Sequence, residues 1–126
     1  MDTKFELDRS LNEHDPPTMK YVNNLLIDAI HQNAQSIYIY LLDEKINVDF
    51  KINGIIERYG IVPEDIQLGT ISRFKVLSDM DIADTEGLQT GRMTLILPEN
   101  NQVIQVIFDS VYIPSEPMGS IVCNRI

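Results

Sequence analysis

Apolar residues recur at helical spacing from Val22 through Leu25, Leu26 and Ala29 to Ile30. That period predicts an amphipathic helix ending near Asn33. Thr18 stands where an N-cap would, just past Asp15-Pro16-Pro17. The chain then turns β-prone at 36–42, with Ile37, Tyr38, Ile39 and Tyr40 in succession. Ile46, Val48, Phe50 and Ile52 alternate with Asn47, Asp49 and Lys51, the period of a half-buried strand. Asn53-Gly54 follows. Both central residues of a type I′ turn need positive φ, so this pair predicts a hairpin whose return strand is 55–59.

Pro63 suits the first position of a second helix, with Glu64 and Asp65 favourable near its positive end. Ile66, Ile71, Phe74 and Leu77 would face the core, and Gly69 weakens the first turns. Residues 79–90 read as a polar, acidic connection. Met93, Leu95 and Leu97 alternate, Pro98-Glu99-Asn100-Asn101 reads as a turn, and 103–108 returns. After the Pro- and Ser-rich 114–117, a last strand is expected at 119–126. Strands arranged in hairpins imply an α+β domain: an antiparallel sheet with two main helices packed on it. Residues 1–17 are polar and charge-rich and read as a flexible arm or linker, leaving 18–126 as the folded domain.

The 126 residues fit one domain. A formal net charge of -9 opposes broad nucleic-acid binding and adsorption to an anionic membrane. Cys123 is the only cysteine, which excludes an internal disulfide and a multi-thiolate zinc site. No signal peptide is legible, and no apolar run approaches the ~20 residues of a membrane span. The acidic run Asp79, Asp81, Asp84 and Glu86 lacks the ligand offsets of a calcium loop, and Asp81 reads instead as capping a local turn. Asp49 and Asp109 have no sequence relation that sets a catalytic separation. His14 and His31 lack partners at metal-ligand spacing, and Cys123 reads as a small buried hydrophobe. No metal site, cofactor or catalytic constellation is expected, and the sequence contains no G-x-x-x-x-G-K-[ST] phosphate-cradling loop.

The stretch 72–92, SRFKVLSDMDIADTEGLQTGR, resembles a segment of the hexameric traffic ATPases of type II secretion and type IV pilus assembly. In that family a helix reads roughly S-R-I-K-x-x-x-x-M-D-I-A, followed by E-R-R-x-P-Q-D-G-R. Ser72, Arg73, Lys75, Met80, Asp81, Ile82, Ala83, Gln89, Gly91 and Arg92 match it. The run 34–40, AQSIYIY, is similar to the family's A-S-D-I-H-I-E, 47–54 to its R-V-R-Y-R-I-D-G, and 119–126 to its G-E-x-V-V-x-R-I. Apolar positions are kept while Asn47, Asp49 and Ile107 stand where the family has Arg, and Asp84, Thr85 and Glu86 where it has E-R-R.

The resemblance implies the N-terminal (N2-type) domain of such an ATPase, with a PAS-like sheet and no P-loop domain in this chain. It implies a cytoplasmic, non-catalytic assembly role in a hexameric ring. The partners would be the P-loop domain or neighbouring subunits, with homo-oligomers included and membrane insertion not. Arg73, Lys75, Arg92 and Arg125 remain as candidate nucleotide or inter-subunit contacts. Arg92 fits a solvated strand end equally well, and Arg73 and Lys75 fit an exposed helix surface. Two other readings stay open: a stand-alone PAS-like module binding a nucleotide or cyclic dinucleotide, and an inactive relative that caps the motor.

Overall fold

Two prolines set where the first helix begins. In the computed structural model, which describes residues 3–8 and 15–126, Pro16 is the N-cap and Pro17 opens α1 (Pro17–His31). A proline at the first helical position loses no hydrogen bond, so Thr18 lies inside the helix and does not cap it. Its hydroxyl instead meets the second helix: a Cβ on Gly69 would come within 2.9 Å of Thr18 Oγ1. Val22, Leu25, Leu26, Ile27, Ala29 and Ile30 form the buried stripe.

Pro63 does not start a helix either. With ψ at 138° it caps a 3₁₀ turn at Glu64–Ile66, and α2 runs over Gln67–Leu77. Both helices end alike. Asn33 (φ 56°) and Asp79 (φ 59°) adopt the left-handed conformation usually given to glycine. The next amides, of Ala34 and Met80, donate back to the carbonyls of Ala29 and Lys75. This is the Schellman closure, which satisfies the last carbonyls of a helix.

The strands are β1 (Lys4–Glu6), β2 (Ser36–Leu42), β3 (Lys45–Ile52), β4 (Ile55–Ile61), β5 (Gln89–Glu99), β6 (Gln102–Ile113) and β7 (Ser120–Arg125). They form one sheet in the order β1-β5-β6-β7-β2-β3-β4. All neighbours are antiparallel except β1 and β5, so the sheet is mixed where the pattern predicts a purely antiparallel one. The fold is α+β, as expected. Within the stretch 1–17 expected to be an arm, the described residues 4–7 make ordered contacts. Lys4–Glu6 joins the sheet, Leu7 is buried, and the Leu7 amide donates to Ile96 at 2.7 Å.

Two-residue turns close three of the hairpins, each with two positive φ values: Asp43-Glu44, Asn53-Gly54 and Asn100-Asn101. The second is the turn the sequence announces. The third is shorter than the expected 98–101 turn, because Pro98 and Glu99 still pair with Val103 and Gln102. Pro98 lies beyond the stretch of β5 that pairs with β1, an edge position where its missing N–H costs nothing. The first turn has neither Gly nor Asn. Asn47 supports it from β3, donating to the carbonyls of Leu42 (3.3 Å) and Lys45 (2.9 Å) while accepting from Arg58. Asn47 is 1% exposed, so truncating its side chain removes its two bonds to the turn and leaves Arg58 without that acceptor. Asn47→Ala is expected to cost about 2 kcal/mol in urea unfolding. A loss below about 0.5 kcal/mol would show that the amide is replaceable by solvent.

Cross-strand partners share a face, which divides the sheet. Ile37, Ile39, Val48, Phe50, Met93, Leu95, Phe108, Ile121 and Cys123 lie on the side where both helices pack, and all are at most 1% exposed or fully buried. Tyr59, beside a register irregularity in β4, also turns to this side. It stacks on Phe50 at 4.7 Å between centroids and donates to Asp28 of α1 at 2.5 Å. No helix among the described residues covers the opposite face.

Candidate functional site

The helix-free face carries two continuous rows of side chains. One runs Thr90, Val111, Val122, Tyr38, Asp49, Arg58 across the sheet, and the next runs Arg92, Asp109, Asn124, Ser36, Lys51, Ile56. The first has an apolar centre of two valines and a tyrosine. The second is mostly polar and carries two side-chain hydrogen bonds between neighbouring strands. Arg92 Nε donates to Asp109 at 2.8 Å, and Ser36 donates to Asn124 at 2.7 Å. At the β3–β4 end, Tyr40 donates to Asp49 at 2.6 Å. That bond, ahead of burial, raises the Tyr40 hydroxyl above its usual range. Leu42, Ile56, Ile61, Val103 and Ile113 are exposed on this same face.

The four cations singled out from sequence do not converge. Arg92 is exposed on the open face and lines a cleft of about 160 Å³ with Thr3, Ser78 and Asp79. Arg125 ends β7 opposite Phe108 and is therefore on the helix side by register. Arg73 is half-buried, its guanidinium 5.8 Å from the centre of the Phe5 ring. Lys75 is not on an exposed helix surface, as its residue type predicts, but is 2% exposed. Its Nζ donates to the Asp84 carbonyl at 2.8 Å and stands 3.6 Å from the centre of the Tyr112 ring. A lysine held between a carbonyl and a π-face joins α2 to the acidic 79–88 loop.

That loop is internally braced. Asp81 Oδ1 accepts from the Ala83 amide, as expected of a local cap. Asp84 Oδ1 accepts from the Gly87 and Glu86 amides, which lower its carboxyl below the usual range. Gln89 donates to the carbonyls of both Asp81 and Asp84. Tyr112 adds a bond to the Thr85 carbonyl at 3.0 Å. Lys75→Met keeps the aliphatic stem and deletes the pin. Faster amide hydrogen exchange is expected at 84–88, with global stability changed by less than about 1 kcal/mol because a buried charge leaves too. Unchanged loop exchange would rule out the pinning role.

Asn47 and Asp49, the residues in place of arginines, are absorbed by local structure, as described. The cation of this corner is Arg58, on the neighbouring strand opposite Asp49. Pattern matching along β3 could not reveal it, since only register places Arg58 beside Asp49. Asp49 and Asp109 lie in adjacent rows three strands apart and form no pair. His31 Nε2 sits 2.6 Å from a Glu99 carboxylate oxygen. His14 lies outside the described residues. Cys123 is buried, its thiol pushed up to about 12 by burial against a small opposing effect of Ser110. Among the described residues no group of three or more His, Cys, Asp or Glu is arranged to hold a metal. No helix there is long and apolar enough to cross a membrane.

The type II/IV secretion system protein family matches residues 11–116, most of the chain. The chain belongs to that family. The family stretch takes in α1 through β6, so both the open face and the braced loop lie largely within it. Relatives include a type IV pilus assembly ATPase, PilB, of Acinetobacter baylyi, 30% identical over 69% of this chain and 15% of its own length. A type II secretion system protein E of Dickeya dadantii is 33% identical over 66% of the chain and 17% of its own length. A type II secretion system ATPase E of Vibrio cholerae is 29% identical over 67% and 17%. This secretion-family chain thus spans about a sixth of the length of the curated relatives it matches.

Proposed function

We propose that this chain is the non-catalytic N-terminal assembly domain of a type II secretion or type IV pilus assembly ATPase. It works in the cytoplasm, packing on the P-loop domain of its own or a neighbouring subunit in a hexameric ring. The observation that carries this reading is the family match over most of the chain, set against about a sixth of the relatives' length. The sequence itself holds no phosphate-cradling motif. The open face supports the docking role. Its apolar centre at Val111, Val122 and Tyr38 adjoins an exposed Arg92 and Asp109, an apolar patch with a polar margin suited to a protein partner.

Arg92 is the contact we assign to the neighbouring subunit or its nucleotide, because it is the exposed arginine on that face that the family pattern retains. The remaining candidates, Arg73, Lys75 and Arg125, lie off that face and are assigned no contact there. The test mixes this domain with a cognate ATPase core lacking its own copy and measures association and ATP turnover. Association and altered turnover are expected, with the effect reduced at least roughly tenfold by Val122→Asp, which places a charge in the apolar centre. Absence of both association and any change in turnover would overturn the reading.

A further inference from the structure

A groove of about 520 Å³ opens beside α2, between that helix, the 79–88 loop and the 114–119 loop. None of the open-face rows contributes to it. Its walls include Leu68, Ile71, Ile82 and Met118. Leu68 and Ile82 are 68% and 54% exposed, and such neighbouring apolar side chains are a feature of surfaces that another molecule covers. The volume falls within the roughly 300–1,000 Å³ of ordinary ligand clefts, enough for a few side chains and too little for a folded element.

The exposed charges lining this groove have one sign. Glu86 and Glu116 line it from two different loops, and both are exposed. Asp84 adjoins them. Asp84 and Glu116 both act on the Tyr112 hydroxyl, which burial first and then these two carboxylates hold above its usual range. Carboxylates from both loops therefore stand over one floor. The lysine there, Lys75, is engaged by the Asp84 carbonyl and the Tyr112 ring. An anionic ligand or a nucleic acid would meet repulsion at this rim.

We propose that this groove binds a short basic and apolar peptide segment of a partner protein, its aliphatic side chains against Leu68, Ile71, Ile82 and Met118 and its Arg or Lys on Glu86 and Glu116. The groove and the open face are separate surfaces, so failure of either experiment leaves the other reading standing.

The probe is a fluorescein-labelled hexapeptide of alternating arginine and leucine, with a glutamate–leucine peptide as its counterpart. Fluorescence anisotropy on the whole chain is expected to show saturable binding of the first that weakens as salt rises. The second should bind at least roughly tenfold more weakly, since each carboxylate on the rim then repels it. Amide NMR shifts should centre on Leu68, Ile82, Glu86 and Met118. The double variant Glu86→Gln/Glu116→Gln is expected to weaken binding roughly fivefold to tenfold. Leu68→Ser/Ile82→Ser should do so by a similar factor through lost apolar contact. All four side chains are exposed, so both variants keep the fold, which circular dichroism verifies. Equal binding of the two peptides, or shifts confined to the open face, would overturn the proposal. So would binding that responds to the charge variant and not to the serine variant, because it would report charge attraction without a groove.

Discussion

Gly91→Ala is expected to lose about 3 kcal/mol or more of folding stability, the upper end of what one added methyl does in a packed interior. Gly91 lies on the helix side of β5, against the end of α2. A Cβ there would stand 2.0 Å from the Ser78 carbonyl oxygen and 3.0 Å from its carbon. Neither atom can swing away. The Ser78 amide donates to Phe74 and Lys75, and the Asp79 amide to Val76, so this peptide belongs to the closure of α2. Accommodating the methyl means moving either the helix end or a strand with neighbours on both sides. Gly60→Ala is the control: nothing lies within 4 Å of its added Cβ, and a change within about 0.5 kcal/mol is expected. Urea unfolding followed by circular dichroism measures both. A Gly91→Ala protein as stable as the parent would show that α2 does not end against β5.

Stability should also fall steeply above pH 9 on account of Cys123. The thiol is fully buried and pushed up from 9.0 to about 12. The sign follows from which state holds the proton. Below pH 9 both folded and unfolded chains carry a neutral thiol, and the full contribution is present. Between pH 9 and 12 the unfolded chain ionises while the folded one stays protonated, so unfolding is favoured by about 1.4 kcal/mol per pH unit, about 4 kcal/mol in all. Cys123→Ala removes this dependence at the cost of a small cavity at neutral pH. Its stability, lower at pH 7, should approach and then exceed that of the parent as pH rises past 9. Parallel curves for the two proteins from pH 9 to 11 would mean that the thiolate is tolerated in the fold. The native protein should likewise resist thiol reagents at neutral pH and react only as it unfolds.

Much of the architecture was legible in the sequence because local periodicity and turn chemistry report it directly. The strand at 36–42 appears where its β-prone run lies, and the alternation from Ile46 to Ile52 marks β3. Asn53-Gly54 turns between paired Ile52 and Ile55. What was misread or left unread shares a cause. Lys4–Glu6 is too short to show a period and is held by a parallel pairing with β5 some ninety positions away. Asp43-Glu44 lacks the residues that usually announce a turn, and its support comes from the Asn47 side chain. Lys75 reads as solvated because lysine usually is, and only the approach of Tyr112 and the 79–88 loop buries it.

The candidate surfaces were less legible than the fold. Arg92 was singled out from motif spacing, but its partner Asp109 and its place in a row with Lys51 depend on which strands adjoin. Arg58 was missed for the same reason. The groove beside α2 gathers residues from 68 to 119 that share no local pattern.

The order of helices and strands, the apolar side of each and the family likeness follow from the chain's own sequence, because side-chain period and backbone preference act over a few residues. Which strands become neighbours, which face the helices leave open, and which charges meet across it were decided only by tertiary structure. Those outcomes depend on contacts such as Ile37 with Cys123, whose separation along the chain leaves no trace in any local period.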